Sequence, residues 1–138
     1  MKLFLVFKAC LIFLLCKICT SCSGQNFDCD KFKTGKFEYH NTFSGANIII
    51  TRNDSIQTNV DEKTGSGSKF KIQWIGQCEY KLTFLSFIVN GKDSTVENLK
   101  LPSGTSTILK GTKSYYISET KIEREQAIHR DTIWVLAE

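Results

Sequence analysis

The sequence is poor in the features that announce a chemistry. It has two histidines, His40 and His129, far apart, and from Cys22 onward no Cys-x-x-Cys pair, so the usual spacings of a zinc site are missing there. Asp28 and Asp30 flank Cys29, but a solvated leader accounts for them as well as a metal does. There is no Gly-x-Ser-x-Gly, no His-Glu-x-x-His and no Gly-x-x-x-x-Gly-Lys, hence no signature of an activated serine, a zinc protease or a phosphate cradle. Charge of one sign is lacking too. Lys2, Lys8 and Lys17 sit in the first 21 residues, which hold no Asp or Glu, and without them 15 basic residues face 14 acidic ones. That balance offers no phosphate-facing surplus and excludes the usual electrostatic basis of nucleic-acid binding. The apolar run 9–16 is eight residues long with lysine at both ends, well short of the roughly 20 residues that span a bilayer as a helix.

What that run does fit is a targeting segment. Lys2, an apolar stretch and then the small residues Thr20 and Ser21 form the layout of a secretory signal helix over 1–21. Removing it leaves 117 residues, the size of one domain. The junction Cys19-Thr20-Ser21-Cys22-Ser23-Gly24 resembles the lipobox of bacterial lipoprotein precursors, with Cys19 where an aliphatic residue usually stands. The resemblance implies a lipidated Cys22, carrying palmitate-like acyl chains, as the first mature residue. Acyl chains contribute about 0.8 kcal/mol per buried CH₂, enough in number here for a stable membrane anchor. Cleavage near Ser21 or Ser23 with release of a soluble protein is the other outcome. The expected organisation is a signal peptide 1–21, a lipid-anchored leader 22–30 and a single β domain 31–138. The expected address is the cell envelope, on the periplasmic side.

Cys10, Cys16 and Cys19 leave with the signal and Cys22 is assigned to lipid, so Cys29 and Cys78 remain. An oxidising compartment favours a disulfide between them over two buried thiols. Closing a loop of about 50 residues is worth roughly 4 kcal/mol in the chain-entropy account.

Past residue 30 the pattern has period two. Phe70, Ile72 and Trp74 alternate with Lys71 and Gln73, and Cys78, Tyr80, Leu82 and Phe84 alternate with Glu79, Lys81 and Thr83. Such runs are strands with one buried face, and this phase points Cys78 inward. Asn90-Gly91, between Phe87-Ile88-Val89 and Thr95-Val96, predicts a hairpin, because both residues tolerate positive φ. Asn53-Asp54 predicts another turn, which also accounts for the sequon Asn53-Asp54-Ser55. Thr64-Gly65-Ser66-Gly67-Ser68 reads as a flexible connection and Pro102-Ser103-Gly104 as a turn. Residues 105–110, 114–122 and 132–136 supply further strands. The stretch 119–128 is the one helical candidate and reads equally as a hairpin end. The fold class is therefore all-β: an antiparallel meander closing into a small barrel or folding into a sandwich. A barrel is preferred, since closure removes exposed edges.

The segment Cys29-Asp30-Lys31-Phe32-Lys33-Thr34-Gly35-Lys36-Phe37-Glu38-Tyr39, then Arg52-Asn53-Asp54-Ser55-Ile56-Gln57, then Trp74 with Cys78-Glu79-Tyr80-Lys81-Leu82, resembles a family of small exported bacterial β proteins. The likeness covers the first half of the mature chain and implies architecture, with no activity attached. Gly35-Lys36-Phe37 is similar in placement to the Gly-x-Trp opening of lipocalins, with Phe37 for the tryptophan, so the shape expected is lipocalin-like.

These readings point to a non-catalytic envelope lipoprotein, with no cofactor, that binds an apolar small molecule or an envelope protein. Aromatic side chains at a barrel mouth are a common ligand lining, and Phe37, Tyr39, Trp74, Tyr80 and Trp134 are the candidates. Two rivals stand beside this: an accessory or structural part of an envelope assembly, and a hydrolase-type enzyme using His40 or His129.

Overall fold

The computed structural model describes residues 27–95, 99, 101–125 and 127–137. The segment 1–21 expected to be a signal and Cys22, expected to be lipidated, lie outside the described residues.

The alternating runs form nine strands: β1 (Gly35–Asn41), β2 (Ala46–Arg52), β3 (Ile56–Asp61), β4 (Gly67–Trp74), β5 (Glu79–Val89), β6 (Lys92–Ser94), β7 (Gly104–Gly111), β8 (Tyr115–Ile122) and β9 (Ile128–Val135). Each pairs antiparallel with its neighbour, β9 returns to β1, and β4 pairs directly with β5. Eight strands thus close a barrel in meander order, and β6 stands outside the ring as a short partner of β5. The choice between barrel and sandwich falls to the closed barrel.

The turns follow their residues. Asn90 and Gly91 take φ of 50° and 75°, the paired positive values a tight hairpin needs. The Asn53 side chain accepts from the backbone N–H of Ser55 and Ile56, fixing the β2–β3 turn. Two expectations need correction. The strand after Asn90-Gly91 is Lys92–Ser94 and ends before Thr95, while Val96 lies outside the described residues. The last strand begins at Ile128, not 132, because 119–128 resolves as the end of the β8–β9 hairpin, with Arg124 at φ 85° in its turn.

Two bulges bend the ring. The register skips from Lys69↔Ser86 to Phe70↔Phe84, and from Ile108↔Ser118 to Lys110↔Ile117. Each skipped residue is an exposed leucine, Leu85 and Leu109. A bulge tightens the local twist, which a small closed barrel requires.

The core fills one end of the barrel. A single 3-10 turn, Asp30–Phe32, inserts Phe32 beneath the strands, its ring 4.7 Å from Tyr116, with Phe37 edge-on to Tyr116 at 5.6 Å. Cys29 and Cys78 are joined by a disulfide with Cα atoms 5.4 Å apart, tying this turn to the β4–β5 connection. Cys29 is fully buried, so packing begins within the stretch assigned from sequence to a leader.

Candidate functional site

Closure at one end leaves the other open. Tracing the strands from the closed pole places the β1–β2 and β8–β9 turns and the segment before β7 at the opposite pole. There, a cavity of about 620 Å³ enters the barrel past Phe43, Leu101, Pro102 and Glu125. That volume lies within the range of small-molecule sites, about 300–1,000 Å³.

The floor separates cavity from core. Ile50 and Ile133 face both, as do Gln57 and Tyr80. Directly beneath them lies Arg52, 2 % exposed, at the inward-pointing end of β2. Its Nε donates to Gln57 Oε1 at 2.8 Å, Nη1 to the Phe32 carbonyl at 2.7 Å, and Nη2 to the Tyr80 and Tyr116 hydroxyls at 3.1 and 3.2 Å. The rings of Phe37, Trp74, Tyr80 and Tyr116 surround it at 4.6–6.0 Å. No carboxylate pairs with it among the described residues. Burial works against the charge, but the two phenols outweigh it and hold the guanidinium above its ordinary pKa. Burial also pushes the Tyr116 phenol well up, reinforced by Tyr80 and opposed by Arg52, so Tyr116 stays a neutral hydroxyl. Gln57 continues the chain by donating from Nε2 to Asn59 Oδ1 at 2.9 Å on the cavity wall.

The wall has two characters. Phe70, Leu82 and Phe84 on β4 and β5 are apolar, with Phe70 edge-on to Phe84 at 6.1 Å. Across the barrel, β7, β8 and β9 present Ser106, Ser118, Thr120, His129 and Asp131. Ser106 and Thr120 hydrogen-bond through their hydroxyls at 2.8 Å. Tyr39 on β1 lies nearby, its phenol pKa raised by burial and then by the charge of Asp131.

Of the five aromatic candidates, Tyr39 and Tyr80 line the cavity. Phe37 and Trp74 do not: both belong to the closed end around Arg52, where Trp74 packs on Tyr80 at 4.8 Å. Trp134 does not either. Its β9 phase is outward, and it lies half exposed against Tyr115 at 5.3 Å. Much of the polar lining, including Gln57, Asn59, Ser106, Ser118, Thr120 and Asp131, escaped the sequence reading. The available signal was phase: Arg52 shares the period-two face of Ile50, and Ser106 that of Ile108.

The two histidines part company. His40 is exposed on the outer surface, with Nδ1 3.0 Å from Asn47 Oδ1. His129 lines the cavity, and its buried Nε2 has no hydrogen-bond partner; Glu125 Oε2 is 3.7 Å away, beyond hydrogen-bond reach. The Thr120 hydroxyl, opposite His129 in register, is already engaged by Ser106. Among the described residues no group of three or more His, Cys, Asp or Glu comes together as a metal site, and no helix is long and apolar enough to cross a membrane. No protein-family model, curated protein or solved structure matches the chain.

Proposed function

We propose that this chain is an exported envelope lipoprotein whose barrel holds one small amphipathic molecule without transforming it. The observation that carries the reading is the cavity of about 620 Å³, open at one pole, apolar along β4 and β5 and lined with hydroxyl and carboxyl groups along β7 to β9. This refines the apolar ligand expected from sequence, because an entirely apolar guest leaves those polar groups without partners. Binding is favoured over catalysis at His129. An activated nucleophile needs a hydrogen bond to its base, and the nearest hydroxyl in register is bonded to Ser106 instead.

The placement of the chain ends suits a tether. Cys22 precedes Cys29 by seven residues, a reach of at most about 25 Å, and Cys29 is fastened to the closed pole. A lipid on Cys22 therefore holds the closed end near the membrane and leaves the mouth at the far pole. Intact mass of the mature protein against a Cys22→Ala control reads the lipid directly.

The test of binding is titration of the purified protein with N-phenylnaphthylamine, a neutral fluorophore that brightens in apolar surroundings. Saturable one-to-one enhancement is expected, with strong loss in Ser118→Phe, whose ring fills the cavity from β8. No saturable signal, or equal binding by a folded Ser118→Phe protein, overturns the reading and leaves a structural or protein-docking role.

A further inference from the structure

The lining of the cavity has a sign. Among the described residues it includes two carboxylates, Asp131 and Glu125, and no lysine or arginine; His129 is its only basic side chain. Even a protonated His129 leaves the lining with excess negative charge. Two basic groups next to lining residues in sequence are paired elsewhere: Arg130 bonds Glu119 at 2.7 Å on the outer face, and Lys81 bonds Glu123 at 2.7 Å. Arg52, the buried cation, lies behind Gln57 and Tyr80 and does not reach the cavity.

Asp131 is the centre of this. It is on the inward phase of β9, opposite Ser118, and makes neither a salt bridge nor a side-chain hydrogen bond among the described residues. Its field is felt inside, where it helps to raise the Tyr39 phenol. A half-buried carboxylate in a site that a guest dries out needs a counter-charge, since desolvating an unpaired charge is costly. The apolar wall stands across from it: β4 and β9 are four places apart in a ring of eight strands, so Phe70 faces Asp131 from the opposite side.

Taking the cavity as a binding site, we propose that its ligand class is amphipathic organic cations. The cationic group sits at Asp131 with Glu125 at the rim, and the apolar body lies along Phe70, Leu82 and Phe84. Fatty acids and other amphipathic anions are disfavoured by the same carboxylates.

Three probes with one tail separate the ligand sign from the existence of the site: decyltrimethylammonium, decanol and decanoate, each displacing N-phenylnaphthylamine from the purified protein at low ionic strength. Decyltrimethylammonium is expected to displace at concentrations about tenfold or more below decanol, with decanoate weakest, as a charge pair in a partly buried site implies. Asp131→Asn keeps the shape and is expected to remove most of the cation's advantage over decanol, with an unchanged urea midpoint showing that the variant is folded. Decanoate equal to or better than decyltrimethylammonium, or an unaltered cation preference in Asp131→Asn, overturns the cation assignment while the binding site stands. Failure of N-phenylnaphthylamine itself to bind overturns the site and the assignment together.

Discussion

Arg52 and Tyr80, 28 residues apart, meet twice: the guanidinium carbon lies 4.6 Å from the centre of the Tyr80 ring, and Nη2 donates to the Tyr80 hydroxyl at 3.1 Å. Tyr80 also lines the cavity, so one side chain joins the packed end of the barrel to the open end. Arg52 is buried at the closed end of the barrel. It supplies donors to a main-chain carbonyl and two phenols, and its planar group lies among aromatic faces suited to a cation.

Removing that group should be among the costliest single changes in the chain. Arg52→Ala deletes its packing against the four aromatic rings and strands the Phe32 carbonyl, the Gln57 amide oxygen and two hydroxyls, for an expected loss of about 3–5 kcal/mol. Tyr80→Phe removes one acceptor and should cost about 1 kcal/mol. Because the two touch, the double variant should be less destabilised than the sum by about 1 kcal/mol or more. Urea denaturation of the four proteins measures this; strict additivity would show that Arg52 and Tyr80 are not energetically joined.

The disulfide should matter to a comparable degree. Cys29 and Cys78 are 49 residues apart, and reopening a loop of that length costs about 4 kcal/mol in the chain-entropy account. For a domain of this size that corresponds to a fall in Tm of about 15 °C. Thermal melts with and without dithiothreitol, checked against Cys29→Ala/Cys78→Ala, give the number. An unchanged Tm would mean that Phe32 and Arg52 hold the closed end without help.

Most of the strands were legible, because Phe70, Ile72, Trp74 and then Tyr80, Leu82, Phe84 carry a plain period of two, and Asn90-Gly91 marks its hairpin. The site was much less so. A barrel interior that is half polar hides its phase: Ser106, Ser118 and Asp131 on the inside look like any solvent-facing residue. Arg52 directly precedes the Asn53 turn and reads as surface for the same reason, whereas its inward direction is set by Ile50 two residues earlier. The aromatic count also misleads, since Trp134, Tyr115 and the 93 % exposed Phe43 are not in the core. The bulges at Leu85 and Leu109 shift phase within a strand, which alternation alone does not disclose.

Gly111 is a second probe of the closed end. A Cβ there would stand 2.5 and 2.6 Å from Phe32 Cε2 and Cζ and 3.3 Å from Tyr116 Cβ. Phe32 has little room to yield, being packed on Tyr116 and placed three residues after the disulfide-bound Cys29. Gly111→Ala should therefore cost about 1–3 kcal/mol through overpacking. Phe32→Leu opens space at that point, so Gly111→Ala/Phe32→Leu should fall short of the summed single losses in urea midpoints. A Gly111→Ala protein as stable as the parent would place Phe32 elsewhere.

Alkaline pH tests the buried phenols. Burial first, then Tyr80, raises the Tyr116 pKa above its ordinary 10.0, and burial with Asp131 raises that of Tyr39. Below about pH 9 both are protonated in the folded and unfolded chains alike, so neither gives a pH slope. From about pH 9 upward the unfolded chain progressively releases these protons while the folded barrel retains them. The folded state then binds more protons, and stability must fall as pH rises, by up to about 1.4 kcal/mol per pH unit for Tyr116. Urea midpoints between pH 9 and about 11 should decline in the parent protein, across the range set by the unfolded phenol pKa. Tyr116→Phe should start less stable, having lost a partner for Arg52, yet decline less steeply. An identical slope in Tyr116→Phe would show that this hydroxyl already titrates as though in water, and that the closed end of the barrel admits solvent.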